Sequence, residues 1–329
     1  MAKTDKTRKA QALVSNILDN LRPNGKSHSV SKSKSSSSHV MATTSLVGKV
    51  AVVTGSSRSI GAAIAKALGA EGANVVVNYV SDAGAAEEVA SAIKSSGKGD
   101  AIAVRANAAT IEGGRSLIDA AVQKWGHLDI LVLNAGIMGS KVLADVDEAF
   151  FDSHIQTNVK APLFTVKYAL PHLSTRTLFL MSCKPAGGRI IFFSSSLTAA
   201  STVLPNALSY VASKGAIEQI SRVLAKDLGG RGITVNTISP GPVDTPLFRT
   251  GKPNQVIDFI SKQNPNNRLG LPEDIAPMVA FVASPAAQWL NGQNLRINGV
   301  SAFFSGTGAI LMEFRRASLS NSLFPLNVL

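Results

Sequence analysis

Residues 49–79 restrict the possible folds more than any other stretch. Lys49-Val50-Ala51-Val52-Val53-Thr54 is a short apolar run that ends at Gly55. Gly55-Ser56-Ser57-Arg58-Ser59-Ile60-Gly61 then leads into a helical stretch, Ala62–Glu71, and a second apolar run, Asn74–Tyr79, follows. A parallel strand pair needs a crossover connection of a dozen or more residues. Strand, glycine-flanked turn, helix and strand within about 30 residues is the smallest unit that supplies one.

The same rhythm continues down the chain. Helical patterns at Ala85–Ser96, Glu112–Trp125, around Asp147–Leu170, after Tyr210 and at Pro272–Ala283 alternate with apolar runs. Those runs lie at Asp100–Arg105, Leu128–Leu133, Arg189–Phe193, Thr234–Ile238 and Asn294–Ile297. Leu128-Asp129-Ile130-Leu131-Val132-Leu133 is apolar on both faces, as a strand buried between two helix layers must be. Such alternation predicts an α/β fold, a doubly wound parallel sheet of the Rossmann type, in one domain over residues 46–304. Two segments break the rhythm. Ser174–Ala186 separates a helix end from a strand that usually meet within a few residues. From Ser305 to Leu329 the alternation stops, and the chain reads as an irregular tail or an ordered addition.

Composition narrows the function classes. The net charge is +12, but residues 1–45 hold eight Lys/Arg against two Asp/Glu, so half of the excess sits there. That segment contains a Ser/Lys tract, Ser31–Ser38, which buries too little to offset its chain entropy. It is expected to be a disordered basic extension rather than a transit peptide. The remaining positive charge forms no basic stripe, so a nucleic-acid partner is not expected. A single cysteine, Cys183, excludes an intramolecular disulfide framework and fits a reducing, cytoplasmic setting. No apolar run approaches the roughly 18–20 residues of a membrane span. No His/Cys/Asp cluster has metal-ligand spacing.

The chemistry is concentrated in Ser209-Tyr210-Val211-Ala212-Ser213-Lys214. Tyr210 and Lys214 are four residues apart, and on a helix such residues share one face. A neighbouring cation stabilises a phenolate, so Lys214 is expected to lower the Tyr210 pKa and make it a general acid/base for carbonyl–alcohol interconversion. Gly55 and Gly61 flank a strand-to-helix turn where backbone can approach a pyrophosphate. The acidic residue that reads a ribose hydroxyl at the end of the next strand is replaced by Asn78, and Arg58 lies in the turn. A missing acid and a present guanidinium favour NADP(H) over NAD(H).

Taken together, residues 46–304 resemble the short-chain dehydrogenase/reductase family, and within it fungal polyketide-naphthol reductases and 3-oxoacyl-carrier-protein-type reductases. Six motifs stand in the family's order: Thr54-Gly55…Gly61, Asn134-Ala135-Gly136, Asn158, the serines Ser194–Ser196, Tyr210…Lys214, and Pro240-Gly241-Pro242…Thr245. The resemblance implies that Tyr210 gives a proton to the carbonyl oxygen, and that Lys214 also holds the nicotinamide ribose. It implies that Asn158 anchors a water-linked proton relay and that a serine binds the substrate oxygen. Position relative to the strand picks Ser195 as that serine; counting back from Tyr210 points nearer Ser196. The implied cofactor site comprises Gly55, Ser57, Arg58, Ser59, Ile60, Gly61, Asn78, Asn107, Asn134, Gly136, Tyr210, Lys214, Pro240, Gly241, Val243 and Thr245. It also implies a small-molecule ketone or alcohol substrate and a homo-oligomer. Ser59 departs from the pattern, standing where the family has the middle glycine. That departure keeps a second reading open, a catalytically impaired NADP(H)-binding protein. The Pro/Gly/Asn-rich segment Gly241–Gly270, with Leu247, Phe248 and Phe259, is expected to be a lid that favours a hydrophobic or aromatic ketone.

Overall fold

The computed structural model of the chain describes residues 44–175, 187–201 and 203–300. The basic extension, most of the 174–186 segment and the 305–329 tail lie outside the described residues. The strands are β1 (Val50–Val53), β2 (Asn74–Tyr79), β3 (Ala101–Arg105), β4 (Ile130–Leu133), β5 (Arg189–Phe193), β6 (Thr234–Pro240) and β7 (Asn294–Ile297). They form one sheet in the order β3-β2-β1-β4-β5-β6-β7, every pair parallel. Each strand expected from the sequence is present, with ends moved by two residues at most.

The helices are α1 (Ser59–Ala70), α2 (Ala83–Ser95), α3 (Ile111–Trp125), α4 (Glu148–Ile155), α5 (Ala161–Ala169), α6 (Leu208–Leu228), α7 (Pro246–Arg249), α8 (Asn254–Lys262) and α9 (Pro272–Ala283). Strand side chains alternate faces, and the two faces carry two separate cores. Ala51, Val53, Val75, Val77, Ile130 and Val132 pack under α1, α2 and α9, through Ile64, Leu68, Ile93 and Val279. Val50, Val52, Val76, Leu131, Ile190 and Phe192 pack under α3, α5 and α6, through Leu117, Ile118, Val166 and Ile217. Sandwiching on both sides explains why these strands read as continuous apolar runs rather than alternating ones.

Charges close the end of the sheet where the strands begin. The Asp129 carboxylate accepts from Lys49 Nζ (2.9 Å), Val50 N (3.0 Å) and Ser174 Oγ (2.7 Å). Burial would raise its pKa, but these donors hold it below the usual carboxylate range. Arg189, 2% exposed, donates to Gly187 O and Gln288 Oε1, each at 2.8 Å. This polar end holds β1, β4 and β5 in register and leaves the opposite, carboxyl end free for loops.

Candidate functional site

The chain leaves β1 toward β2 and β3 on one side, and it continues from β4 to β7 on the other. The strand order thus reverses between β1 and β4, and in such sheets ligands bind outside the carboxyl ends of the strands at that point. Thr54 N donates to Val132 O (3.0 Å), and Ala135 N donates to Thr54 Oγ1 (2.9 Å). Asn134 Nδ2 donates to Thr54 O (3.0 Å) and Gly55 O (3.2 Å), which fixes the turn from both sides. Gly55 has a φ of +62°. A Cβ on Gly61 would lie 2.2 Å from Gly55 O, so only glycine lets α1 begin this close to the turn.

Asn78 sits beneath this turn. It is 1% exposed; its Oδ1 accepts from Gly55 N (2.8 Å), and its Nδ2 donates to Ala106 O (2.9 Å). Both ends of the amide are thereby used on backbone, and Ser56 Oγ accepts from Asn78 N at 2.8 Å. Asn78 shapes the glycine turn from inside. Arg58 is exposed at the N-cap of α1 and makes no side-chain cap bond, which leaves the first N–H groups of the helix for an incoming anion. Ser57 and Ile60 flank it, partly exposed. Ser59 has a φ of +52°, a left-handed conformation that costs a non-glycine residue on the order of 1 kcal/mol. The close-approach glycines and the uncapped helix start fit a dinucleotide pyrophosphate.

The second half of the site is built by β5 and α6. Tyr210 lies in the first turn of α6 and Lys214 one turn later, with Lys214 Nζ 5.8 Å from the Tyr210 ring centroid. Lys214 is 5% exposed, and its Nζ donates to Phe193 O (2.9 Å) at the end of β5. Ser195, two residues further, hydrogen-bonds the Tyr210 phenol. Ser196 is buried at the start of the short 3-10 helix Ser196–Ala199. Of the two serines, Ser195 is the one that reaches the phenol.

Asn158 lies on a π-helical turn, Gln156–Lys160, between α4 and α5; such bulges recur at functional sites. Its side chain accepts from Ile137 N (2.9 Å) and donates to Ile137 O and Ser213 Oγ (3.0 Å each). Ser213 Oγ in turn donates to Tyr210 O at 2.7 Å. A Cβ on Gly136 would lie 3.1 Å from Asn158 Oδ1 and 3.3 Å from Lys214 Nζ, so both groups face this glycine.

The remaining positions frame the site. Asn107 is exposed after β3, and its Oδ1 accepts from Ala109 N (3.1 Å). Pro240 ends β6, and Gly241 N donates to Ile297 O (2.9 Å). Val243 pairs with Gly270, which closes the base of the segment between them. Thr245 Oγ1 accepts from Phe248 N (3.1 Å) as the cap of α7 and keeps its hydroxyl hydrogen to donate. The expected lid carries two short helices, α7 and α8. Val142, Leu143, Val203, Leu204, Leu208 and Leu247, in the segments that follow β4, β5 and β6, are exposed apolar side chains.

The expected lowering of the Tyr210 pKa is not what the packing produces. Burial pushes the phenol up, and the Ser195 hydrogen bond offsets this only in part. The same burial pushes the Lys214 ammonium down, to about 8. Spacing along a helix shows that two groups are neighbours, but desolvation depends on what packs around them. The lysine is the more completely enclosed of the two; Tyr210 keeps part of its surface open. Sequence reading also passed over Ser213, which joins Asn158 to the Tyr210 helix across 55 positions and carries no local signal. It passed over Glu218 as well, although that residue continues the four-residue spacing of Tyr210 and Lys214.

Residues 55–299 match the sequence profile of a family described as enoyl-(acyl carrier protein) reductase. The chain is 41% identical over 265 residues to versicolorin reductase stcU of Emericella nidulans, covering 77% of this chain and 96% of that protein. It is 37% identical over 272 residues to trihydroxynaphthalene reductase of Colletotrichum orbiculare, covering 79% and 92%. Among solved structures, a short-chain dehydrogenase from Burkholderia cenocepacia in complex with NADP superposes with a TM-score of 0.70. It shares 36% identity and covers 78% of this chain and 98% of that one. The chain belongs to the short-chain dehydrogenase/reductase family and is an oxidoreductase of that family.

The buried lysine has a measurable signature. With its folded-state pKa near 8, against 10.5 for the free group, the unfolded chain binds more protons between those values. The stability of the wild type relative to Lys214→Met should therefore rise as pH increases from about 8 to 10.5, read from denaturant midpoints. A flat difference across that window would place the ammonium in water.

Proposed function

We propose that the chain is an NADP(H)-dependent carbonyl reductase that converts a ketone to a secondary alcohol, with Tyr210 as the general acid. The observation that carries this reading is the Tyr210 phenol, hydrogen-bonded to Ser195 and seated one helical turn from Lys214. The bound nicotinamide would supply the hydride. Ser195 would hold the substrate oxygen, and Tyr210 would give that oxygen its proton. A phenol kept protonated by burial suits the reductive direction, where an acid is required. Lys214 would hold the nicotinamide ribose. Asn158 faces the same glycine as Lys214, a placement that suits a water-linked relay returning a proton to Tyr210. Gly55, Gly61, Asn134 and Gly136 would line the cofactor, Thr245 would meet its carboxamide, and Asn107 its adenine. The apolar rim at Val142, Leu143, Leu204 and Leu247 favours a hydrophobic or aromatic ketone, and the segment around α7 and α8 would close over it.

Ser59 favours a second reading. A strained side chain where the family carries glycine would crowd the phosphates in a protein that binds cofactor but turns over slowly. Purified protein with NADPH and a panel of naphthol-type and 3-oxoacyl ketones separates the two. Tyr210→Phe should lower kcat by roughly 10²–10⁴-fold, the usual share of acid–base catalysis, and leave NADPH binding nearly intact. Near-normal turnover in that variant would remove Tyr210 from its role.

Cofactor choice rests on Arg58. No carboxylate ends β2, and the next one, Asp82, accepts from Ala85 N (2.9 Å) as the cap of α2. Arg58 is left as the exposed group beside the turn, suited to a 2′-phosphate. NADPH should be preferred over NADH, and Arg58→Ala should weaken NADPH selectively. Equal kcat/KM for the two cofactors would refute this.

We also propose a homo-oligomer, through the α6 face and the preceding long helix. Val223 on α6 is 64% exposed and Phe151 on α4 is 38% exposed, large apolar groups that a second copy would cover. Sedimentation at micromolar concentration should show a dimer or larger; a monomer would count against it.

A further inference from the structure

Resting on the carbonyl-reductase reading, we propose that Glu218 is a positioning residue for Ser195, acting as the anchor that fixes the substrate-oxygen site to the helix bearing the acid. Tyr210, Lys214 and Glu218 recur every four residues, so they form one stripe along α6. One oxygen of Glu218 serves both sides of Ser195. Glu218 Oε1 accepts from Ser194 Oγ at 2.8 Å and from Thr198 Oγ1 at 2.5 Å. Ser194 lies immediately before Ser195, and Thr198 lies three residues after it. Thr198 Oγ1 also lies 2.8 Å from Ser195 O, and Ser194 Oγ 3.1 Å from Lys214 O, so each hydroxyl shares its one hydrogen between the carboxylate and a backbone carbonyl.

The consequence is mechanical. Ser195 stands where β5 turns into the 3-10 helix Ser196–Ala199, with its own Oγ accepting from Leu197 N at 3.3 Å. Without Glu218, this corner would be tied to α6 by Ser194 on Lys214 O, by Lys214 Nζ on Phe193 O and by the Ser195–Tyr210 hydrogen bond itself, none of which reaches the 3-10 helix beyond Ser195. Because hydrogen bonds to a charged acceptor are stronger than neutral ones, a carboxylate gripping two hydroxyls around the corner fixes the distance between Ser195 and Tyr210. A carbonyl oxygen must receive hydrogen bonds from both groups at once, so a small drift of the corner would cost rate rather than cofactor affinity. Burial alone accounts for the Lys214 shift, so the carboxylate acts here by geometry.

The test combines a conservative rescue, a double-mutant cycle and a readout that needs no turnover. E218A should lower kcat by roughly 10- to 100-fold, the scale of a misplaced catalytic group, with the NADPH Kd and the pH profile unchanged. E218Q keeps an acceptor oxygen for both hydroxyls and should stay within about threefold of the wild type. In an S195A background, E218A should add little further loss, because residues acting through one another are not additive. Hydrogen exchange of the amides from Leu197 to Ala200 should speed up in E218A, with the amides of central α6 unchanged. Equal losses in E218Q and E218A, a full additive loss in the S195A background, or unaltered exchange at the corner would each overturn the proposal. If E218A does not fold, T198V removes one of the two gripped hydroxyls. It should show the same dependence on Ser195, and independence would be an equal contradiction. Should Tyr210→Phe turn over normally, the carbonyl-reductase reading fails, while the exchange measurement still decides whether Glu218 anchors the corner.

Discussion

The parallel pairing of β1 with β4 is the constraint on which the rest depends. Val53 lies opposite Val132, so the two strands end side by side at the sheet's reversal point. Thr54 and Gly55 are thereby brought against Asn134 and Ala135, and the side chain of Asn134 closes the seam. Every further element of the site is referred to that seam. Gly61 lets α1 begin against Gly55, Asn78 supports the turn from below, and the loop after β4 meets Asn158 through Ile137. A sheet slipped by one residue would turn each strand's side chains to the other face and dissolve both cores together with the site.

The second half of the site shows how polar groups are kept inside such a core. Lys214 is enclosed, and among the described residues its ammonium has one hydrogen-bond acceptor, Phe193 O. Burial of this kind destabilises the charged form and lowers the lysine's pKa to about 8. Among the described residues no carboxylate meets this ammonium, so its burial costs the fold stability rather than adding to it. The Asp129 cluster at the opposite end of the sheet provides the contrast. Its carboxylate has lysine, backbone and hydroxyl donors, and it holds strands in place.

Much of this was legible in the sequence, and the limits have physical reasons. The strands could be read because a strand covered on both faces must be apolar throughout, as Ile130–Leu133 is. The neighbourhood of Tyr210 and Lys214 could be read because helical spacing alone puts them on one face. The direction of the Tyr210 pKa could not, because desolvation is set by packing that comes from distant segments. Asn78 looks alike in sequence whether it faces a ribose or props a turn; only its register on β2 shows that its amide points inward. Asn158 and Ser213 meet across a tertiary contact, which no periodicity encodes. The two helices of the Gly241–Gly270 segment were masked by its Pro, Gly and Asn content, although α8 carries an apolar stripe with Ile257 buried.

The most direct measurement follows the hydride itself. Purified protein is incubated with NADPH deuterated at the transferred position and a hydrophobic aromatic ketone, and the alcohol is analysed by mass spectrometry. A carbonyl reductase built on this site should place one deuterium on the carbinol carbon, and Tyr210→Phe should form that product far more slowly. Absence of labelled alcohol across naphthol-type and 3-oxoacyl ketones, with NADPH demonstrably bound, would contradict the assignment of these residues as a working reductase site.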